Sequence, residues 1–145
     1  MRPEDLHEVV ERRLRRSGQR YTANRRALVD ALREAPQPVT VAQLVEVTPS
    51  VVQSSAYRNL AVLERADAVH RVVTTDDFAR YELAQDLTEH HHHLVCRSCG
   101  GVTDFTLSPE FEQRLESVLA AAAEGDDFDS DDHRLDVLGT CSNCS

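Results

Sequence analysis

Two cysteine pairs, Cys96-x-x-Cys99 and Cys141-x-x-Cys144, with 41 residues between them, constrain this chain more than any other feature. Two residues between cysteines let both thiolates of a pair reach one ion from a tight turn. Two such pairs supply the four sulfurs of a closed, tetrahedral zinc site. Gly100 follows the first pair, where the backbone must turn freely. The spacing predicts a structural zinc on Cys96, Cys99, Cys141 and Cys144, tying the end of the sequence to the start of its second half. The other reading is two reduced or redox-active pairs; an iron–sulfur cluster has no matching cysteine run here. The first residues, Met1-Arg2-Pro3-Glu4-Asp5, lack the apolar segment of a signal peptide, and no apolar run approaches the roughly 18 residues of a membrane helix. A cytoplasmic protein with no membrane partner is expected, where close cysteine pairs mean metal rather than disulfides.

Immediately upstream, His90-His91-His92-His93 runs into Leu94-Val95-Cys96. If this segment is extended, side chains alternate, so His90 and His92 face one way and His91 and His93 the other. Two pairs of imidazoles then point in opposite directions, each a half-site suited to Zn, Fe, Mn, Ni or Co. The remaining ligands must come from far away in sequence. Candidates are His133 and Glu112 for one half-site, and Glu82 and His70 for the other. The alternative is one surface strand rich in solvated histidine.

Charge divides the chain. Up to Leu83 there are 13 Arg against 12 acids, a net of +1; the remainder carries 3 Arg against 13 acids, a net of −10. Such asymmetry suggests two functional halves, of which only the first could meet a polyanion. That half reads as helices. Leu6, Val9, Val10 and Leu14 recur at helical spacing until Gly18. Thr22 caps a second helix through Leu28 and Leu32, ended by Pro36 and Pro38, and Thr40 caps a short third. After Pro49, Ser54 or Ser55 opens a fourth helix to about Ala66. Ala56, Leu60 and Leu63 line one of its faces; Arg58 and Arg65 lie opposite, with Tyr57 on the flank. A guanidinium can fork onto phosphate or guanine, and a phenol ring can contact a thymine methyl. Helix, break and helix resemble a helix-turn-helix. The plainer reading is a solvated face with ordinary surface arginines. Val69–Val73 and Ala79–Leu83, joined through Thr74-Thr75-Asp76-Asp77, would add a hairpin wing.

The second half reads as a small α+β unit. Strands at 94–95, 102–107 and 135–138 are covered by a helix over Phe111–Ala123, capped by Ser108 with Pro109 in its first turn. So short a unit, with exposed edges and apolar faces, favours pairing with a second copy. Asp127 to Leu138 is no EF-hand, because Asp132 stands where Gly is needed and Leu138 where Glu is needed. No phosphate loop, Gly-x-Ser-x-Gly or His-Glu-x-x-His is present, so no enzyme is expected. A metal-buffering protein and a zinc-dependent hydrolase using the His/Glu cluster remain the competing readings.

Four segments together resemble the ferric uptake regulator family. They are Tyr21-Thr22-Ala23-Asn24-Arg25, Ala56-Tyr57-Arg58-Asn59-Leu60, the four histidines through Cys96-Arg97-Ser98-Cys99-Gly100, and His133 to Cys144, spanning about residues 6 to 144. The resemblance implies a homodimeric, metal-responsive transcription regulator, mostly a repressor in relatives, that binds a palindromic DNA operator. It implies a winged helix-turn-helix over 1–84, a hinge over 85–90 and an α/β dimerisation and metal-binding domain over 91–145. Residue by residue it implies DNA contacts from Arg20, Arg25, Ser55, Tyr57 and Arg58, and structural zinc on the four cysteines. It also implies a regulatory site from Glu82, His91 and His93, and an additional site from His90, His92, Glu112 and His133. Pro38 stands where many relatives have a histidine ligand, and His70 is expected to supply the missing donor to the regulatory site. An all-nitrogen-and-oxygen set of this kind suits Zn, Fe or Mn.

Overall fold

The structure is a computed structural model that describes residues 1–72, 74 and 78–145. Val73 and the expected hairpin turn at Thr75, Asp76 and Asp77 lie outside those residues.

Helix α1, Pro3–Arg16, starts on a proline with Glu4 and Asp5 in its first turn, where acidic side chains suit the positive helix end. It stops at Ser17, and Gly18 follows at φ +72°, a conformation that favours glycine. Helix α2, Ala23–Glu34, is capped by the Thr22 hydroxyl, which accepts from the Arg25 N–H. Strand β1, Val39–Thr40, precedes α3, Val41–Val47, where Thr40 and Gln43 form a reciprocal capping box. Helix α4 is Gln53–Arg65. It begins before the expected Ser54 or Ser55, with Val52 as a cap residue that offers no side-chain bond. Burial fixes that entry: Val51 is 2% exposed and its N–H bonds the Thr48 carbonyl, which sets the turn before any hydroxyl is needed.

Leu6, Val10, Leu14, Leu28, Val29, Leu32, Leu44, Ala56, Leu60 and Leu63 join in one core, each large side chain contributing about 1.5–3 kcal/mol by burial. Strands β2, Val69–Val72, and β3, Arg80–Leu83, pair antiparallel as expected. A third strand, too short to leave a pattern in the sequence, completes this sheet: β1 joins the other side of β3, giving the order β1-β3-β2. A 3-10 turn, Gln85–Leu87, follows, and Leu87 is buried in this first core. Arg13 of α1 clasps that turn, donating to the Asp86 carboxylate and, at 2.5 Å, to the Asp67 carbonyl.

The second sheet has β4, His92–Cys96, at its centre. On one side β4 pairs antiparallel with β5, Val102–Phe105, and on the other parallel with β6, Asp136–Gly139. Helix α5, Pro109–Gly125, is the crossover, capped by Ser108 as expected. Yet α5 buries none of its residues within one copy, contrary to the expected cover over the sheet. Phe111 and Val118 are exposed, as are Leu94 of β4 and Val137 and Leu138 of β6. Helical periodicity marks an apolar face without saying whose surface covers it. The small apolar cluster of this half, Val95 and Val102, takes in Val72 from β2, so the wing strand reaches across to the second sheet.

Candidate metal centres and DNA-reading face

Among the described residues, three groups of side chains converge, each with donor atoms that all lie within 4.8 Å of one another. The first is Cys96, Cys99, Cys141 and Cys144, with no disulfide among them. Two turns make it: Gly100 N–H bonds the Cys96 carbonyl, and Cys144 N–H bonds the Cys141 carbonyl. Cys99 and Cys141 sulfurs stand 3.9 Å apart, close to the ~3.8 Å edge of a tetrahedron with Zn–S near 2.3 Å. N–H groups of Cys141 and Cys99 point at the Cys96 sulfur and lower its pKa to about 6, so it is readily a thiolate. The Cys141 sulfur beside Cys144 pushes that thiol up to about 12, since several thiolates cannot crowd together without a cation. Four sulfurs so arranged fit zinc.

The alternation of the histidine run holds. His91 and His93 face the first half of the chain; His90 and His92 face α5. In the second group, His91 Nε2 lies 2.9 Å from Glu82 Oε2, and His93 Nε2 lies 3.1 Å from Glu82 Oε1. Glu82 is on β3, whereas both imidazoles belong to the second half, so this group bridges the two. Asp104 completes it: its carboxylate oxygens are 3.8 Å from His91 Nε2 and 3.7 Å from His93 Nε2. His70, expected from the sequence to be the fourth donor, is at the edge of this group rather than inside it, with Nδ1 3.3 Å from Glu82 Oε1. Sequence reading missed Asp104. It sits opposite His93 across the β4–β5 ladder, and paired residues share a face. An alternation count along Val102–Phe105, registered on His93, would have found it.

Without an ion, the carboxylate and the imidazoles of this group hold one another in their charged forms. Burial works to raise the Glu82 pKa, but hydrogen bonds from His70, His91 and His93 outweigh it and hold the carboxyl well below the usual range. The bond to Glu82 raises His91 to about 9 against the opposing effect of its burial. His93 is buried, which lowers its pKa, yet Glu82 and Asp136 raise it overall. Burial pushes Asp104 up. Two carboxylates and two imidazoles, all within reach of one point, suit a metal of the Zn, Fe or Mn type.

The third group is His90, His92, Glu112 and His133. Glu112, in the first turn of α5, accepts from His92 Nε2, and its Oε2 is 3.3 Å from His90 Nε2 and 3.4 Å from His133 Nε2. Buried His90 Nε2, His133 Nε2 and Glu112 Oε2 converge without any hydrogen bond among them. Such orphaned donor atoms fit a metal ion in their midst.

On the first half, Tyr57 and Arg58 are exposed on α4, as is Arg20 in the α1–α2 loop. Ser55 is half-buried and accepts from Arg58 at 3.3 Å. Arg25 is half-buried and donates to Asn59 Oδ1 at 2.9 Å, to Gln19 Oε1 at 3.3 Å and to the Arg20 carbonyl at 2.6 Å. It fastens the loop bearing Arg20 to α4. Arg25, Arg58 and Arg65 line one open groove along α4, a surface of the charge that a phosphate backbone needs. Among the described residues, no helix is long and apolar enough to cross a membrane.

The model of the ferric uptake regulator family matches residues 16–138. The ferric uptake regulation protein of Bacillus subtilis strain 168 is 30% identical over 142 residues, covering 94% of this chain and 92% of its own length. The peroxide-responsive repressor PerR of Staphylococcus epidermidis is 27% identical over 135 residues, covering 90% and 85%. Among solved structures, the Helicobacter pylori ferric uptake regulator, described as having three functional metal binding sites, superposes with a TM-score of 0.75 at 23% identity, over 99% of this chain and 94% of that one. A zinc-bound manganese uptake regulator superposes with a TM-score of 0.60 at 29% identity, over 92% and 98%.

Proposed function

The chain belongs to the ferric uptake regulator family, and on that premise we propose that metal held by Glu82, His91, His93 and Asp104, with His70 beside them, switches its affinity for a palindromic operator. As a member it is a metal-dependent, dimeric, DNA-binding transcription regulator and not an enzyme. The observation that carries the switch is the bridge itself: Glu82 comes from the wing sheet, while His93 and Asp104 come from the second sheet and His91 immediately precedes its central strand. An ion gripping both fixes the angle between a DNA-reading part, residues 1–84, and a dimerisation part, residues 91–145, across a hinge at 85–90. In a dimer that angle sets the spacing of two α4 helices on two operator half-sites. The ion shifts the equilibrium only by its differential affinity for the two arrangements.

In this reading Cys96, Cys99, Cys141 and Cys144 hold structural zinc, while zinc, iron or manganese occupies the hinge. His90, His92, Glu112 and His133 hold a further ion within the dimerisation part. Tyr57, Arg58 and Ser55 of α4 meet the major groove, Arg20 reaches the backbone or minor groove, and Arg25 positions the Arg20 loop. The regulator represses metal-homeostasis genes in the cytoplasm.

The test uses an operator selected from random duplexes with metal-loaded protein. Wild-type affinity is expected to fall at least tenfold when the hinge ion is removed, and His91→Ala to stay at the low level with or without Zn, Fe(II) or Mn(II). Equal affinity of both proteins in both conditions would refute the switch. A metal-buffering protein would instead show no sequence-specific, salt-dependent binding.

A further inference from the structure

We infer that Asp136 is the positioning residue of the hinge site, the carboxylate that fixes which ring nitrogen of His93 faces the ion; the inference rests on the hinge reading above. Strand β6 lies parallel to β4 with Asp136 directly opposite His93, and the His93 N–H donates to the neighbouring Leu135 carbonyl at 3.2 Å. That register brings His93 Nδ1 within 3.1 Å of Asp136 Oδ1. Nδ1 therefore keeps its hydrogen and donates it. Nε2, on the other edge of the ring and facing Glu82, is left as the atom whose lone pair can meet a cation.

His91 is held the same way by the main chain, its Nδ1 2.9 Å from the Glu89 carbonyl. Both imidazoles of the hinge are thus braced from behind, but only His93 is braced by a charge. A carboxylate behind a ligating imidazole fixes its tautomer and raises its basicity. The other donor set has no such device at its most buried member: His92 is 1% exposed and its Nδ1 finds no partner. Asp136 is itself well placed to be rigid. Its strand continues into the Cys141 turn, and the Arg97 N–H holds the Gly139 carbonyl at 2.8 Å, so the four-sulfur site anchors the strand that carries the brace.

The experiment uses full-length protein with zinc retained on the four cysteines and Glu112→Ala in the background, so that the hinge is the nitrogen-and-oxygen set being filled. Zinc affinity is measured by competition with a chromophoric chelator. Asp136→Ala is expected to weaken hinge binding by about 10- to 100-fold. Asp136→Asn should fall between, because its amide oxygen still accepts from Nδ1–H but carries no charge. In the zinc-loaded protein, nitrogen-15 NMR should show a slowly exchanging Nδ1–H on His93. That signal should persist in Asp136→Asn and vanish in Asp136→Ala, a change that a loss of packing alone would not produce. Thermal melts of the hinge-stripped proteins check that each variant is folded. Unchanged affinity together with a persisting Nδ1–H signal in Asp136→Ala would overturn the role of Asp136. A parent protein that takes no zinc beyond its four cysteines would overturn the hinge reading itself, and this inference with it.

Discussion

Substituting Glu82→Gln keeps the shape of the hinge and removes its charge, and the consequence depends on pH in a direction the structure fixes. Glu82 is the common acceptor for His70 at 3.3 Å, His91 at 2.9 Å and His93 at 3.1 Å. With the hinge ion stripped, this carboxylate holds the proton on His91 up to about 9, against an ordinary 6.5. At about 1.36 kcal/mol per pH unit that gap corresponds to roughly 3 kcal/mol. A pKa raised in the folded state gives stability that is complete below the unfolded value and lost as pH climbs through the folded one. The window is therefore 6.5 to about 9. His93, raised by the same partner, acts in the same direction. At about 3 °C per kcal/mol for a chain of this size, Glu82→Gln should melt roughly 10 °C below wild type at pH 6. At pH 9.5 the buried carboxylate has lost its imidazolium partners, and the neutral amide should be as stable or more so. The assay is circular-dichroism melting of both proteins at pH 6, 7.5 and 9.5, after a chelator treatment that leaves the four-sulfur zinc in place. Zinc affinity of the wild-type hinge should rise over the same window, because an ion must displace the His91 proton. A melting gap that stays constant or widens with pH would refute the reasoning.

Two further outcomes test other parts of the fold. Cys141→Ser removes one of four converging sulfurs and should lower bound zinc and the melting temperature of the second sheet, while the far-ultraviolet signal of helices α1 to α4 persists; metal analysis and circular dichroism read both. Thr40→Ala removes the hydroxyl of the α3 capping box and should cost about 1 kcal/mol, seen as a melting temperature lower by about 3 °C with zinc content unchanged.

What could be read without coordinates was whatever depends on neighbours in sequence. Thr22, Thr40 and Ser108 cap helices because a hydroxyl meets an N–H three residues on, and the histidine alternation follows from the two-residue period of a strand. Ala56, Leu60 and Leu63 are buried for a similarly local reason, the helical turn. What could not be read depends on register between distant segments. Asp104 reaches His93 only through the β4–β5 ladder, and Asp136 reaches the same ring over 43 positions of chain. Strand β1 has two residues, too few to leave any periodicity. Helix α5 carries a clear apolar stripe, yet the stripe stays exposed within one copy.

Because β4 presents opposite faces to two different donor sets, its length is constrained along with its composition. Inserting or deleting a single position between Glu89 and Cys96 would turn every later side chain over. Imidazoles meant for Glu82 would look toward Glu112, their neighbours would do the reverse, and the Cys96 thiol would swing away from its three companions. The spacing along that stretch is therefore as strict a requirement as the five ligand side chains it carries.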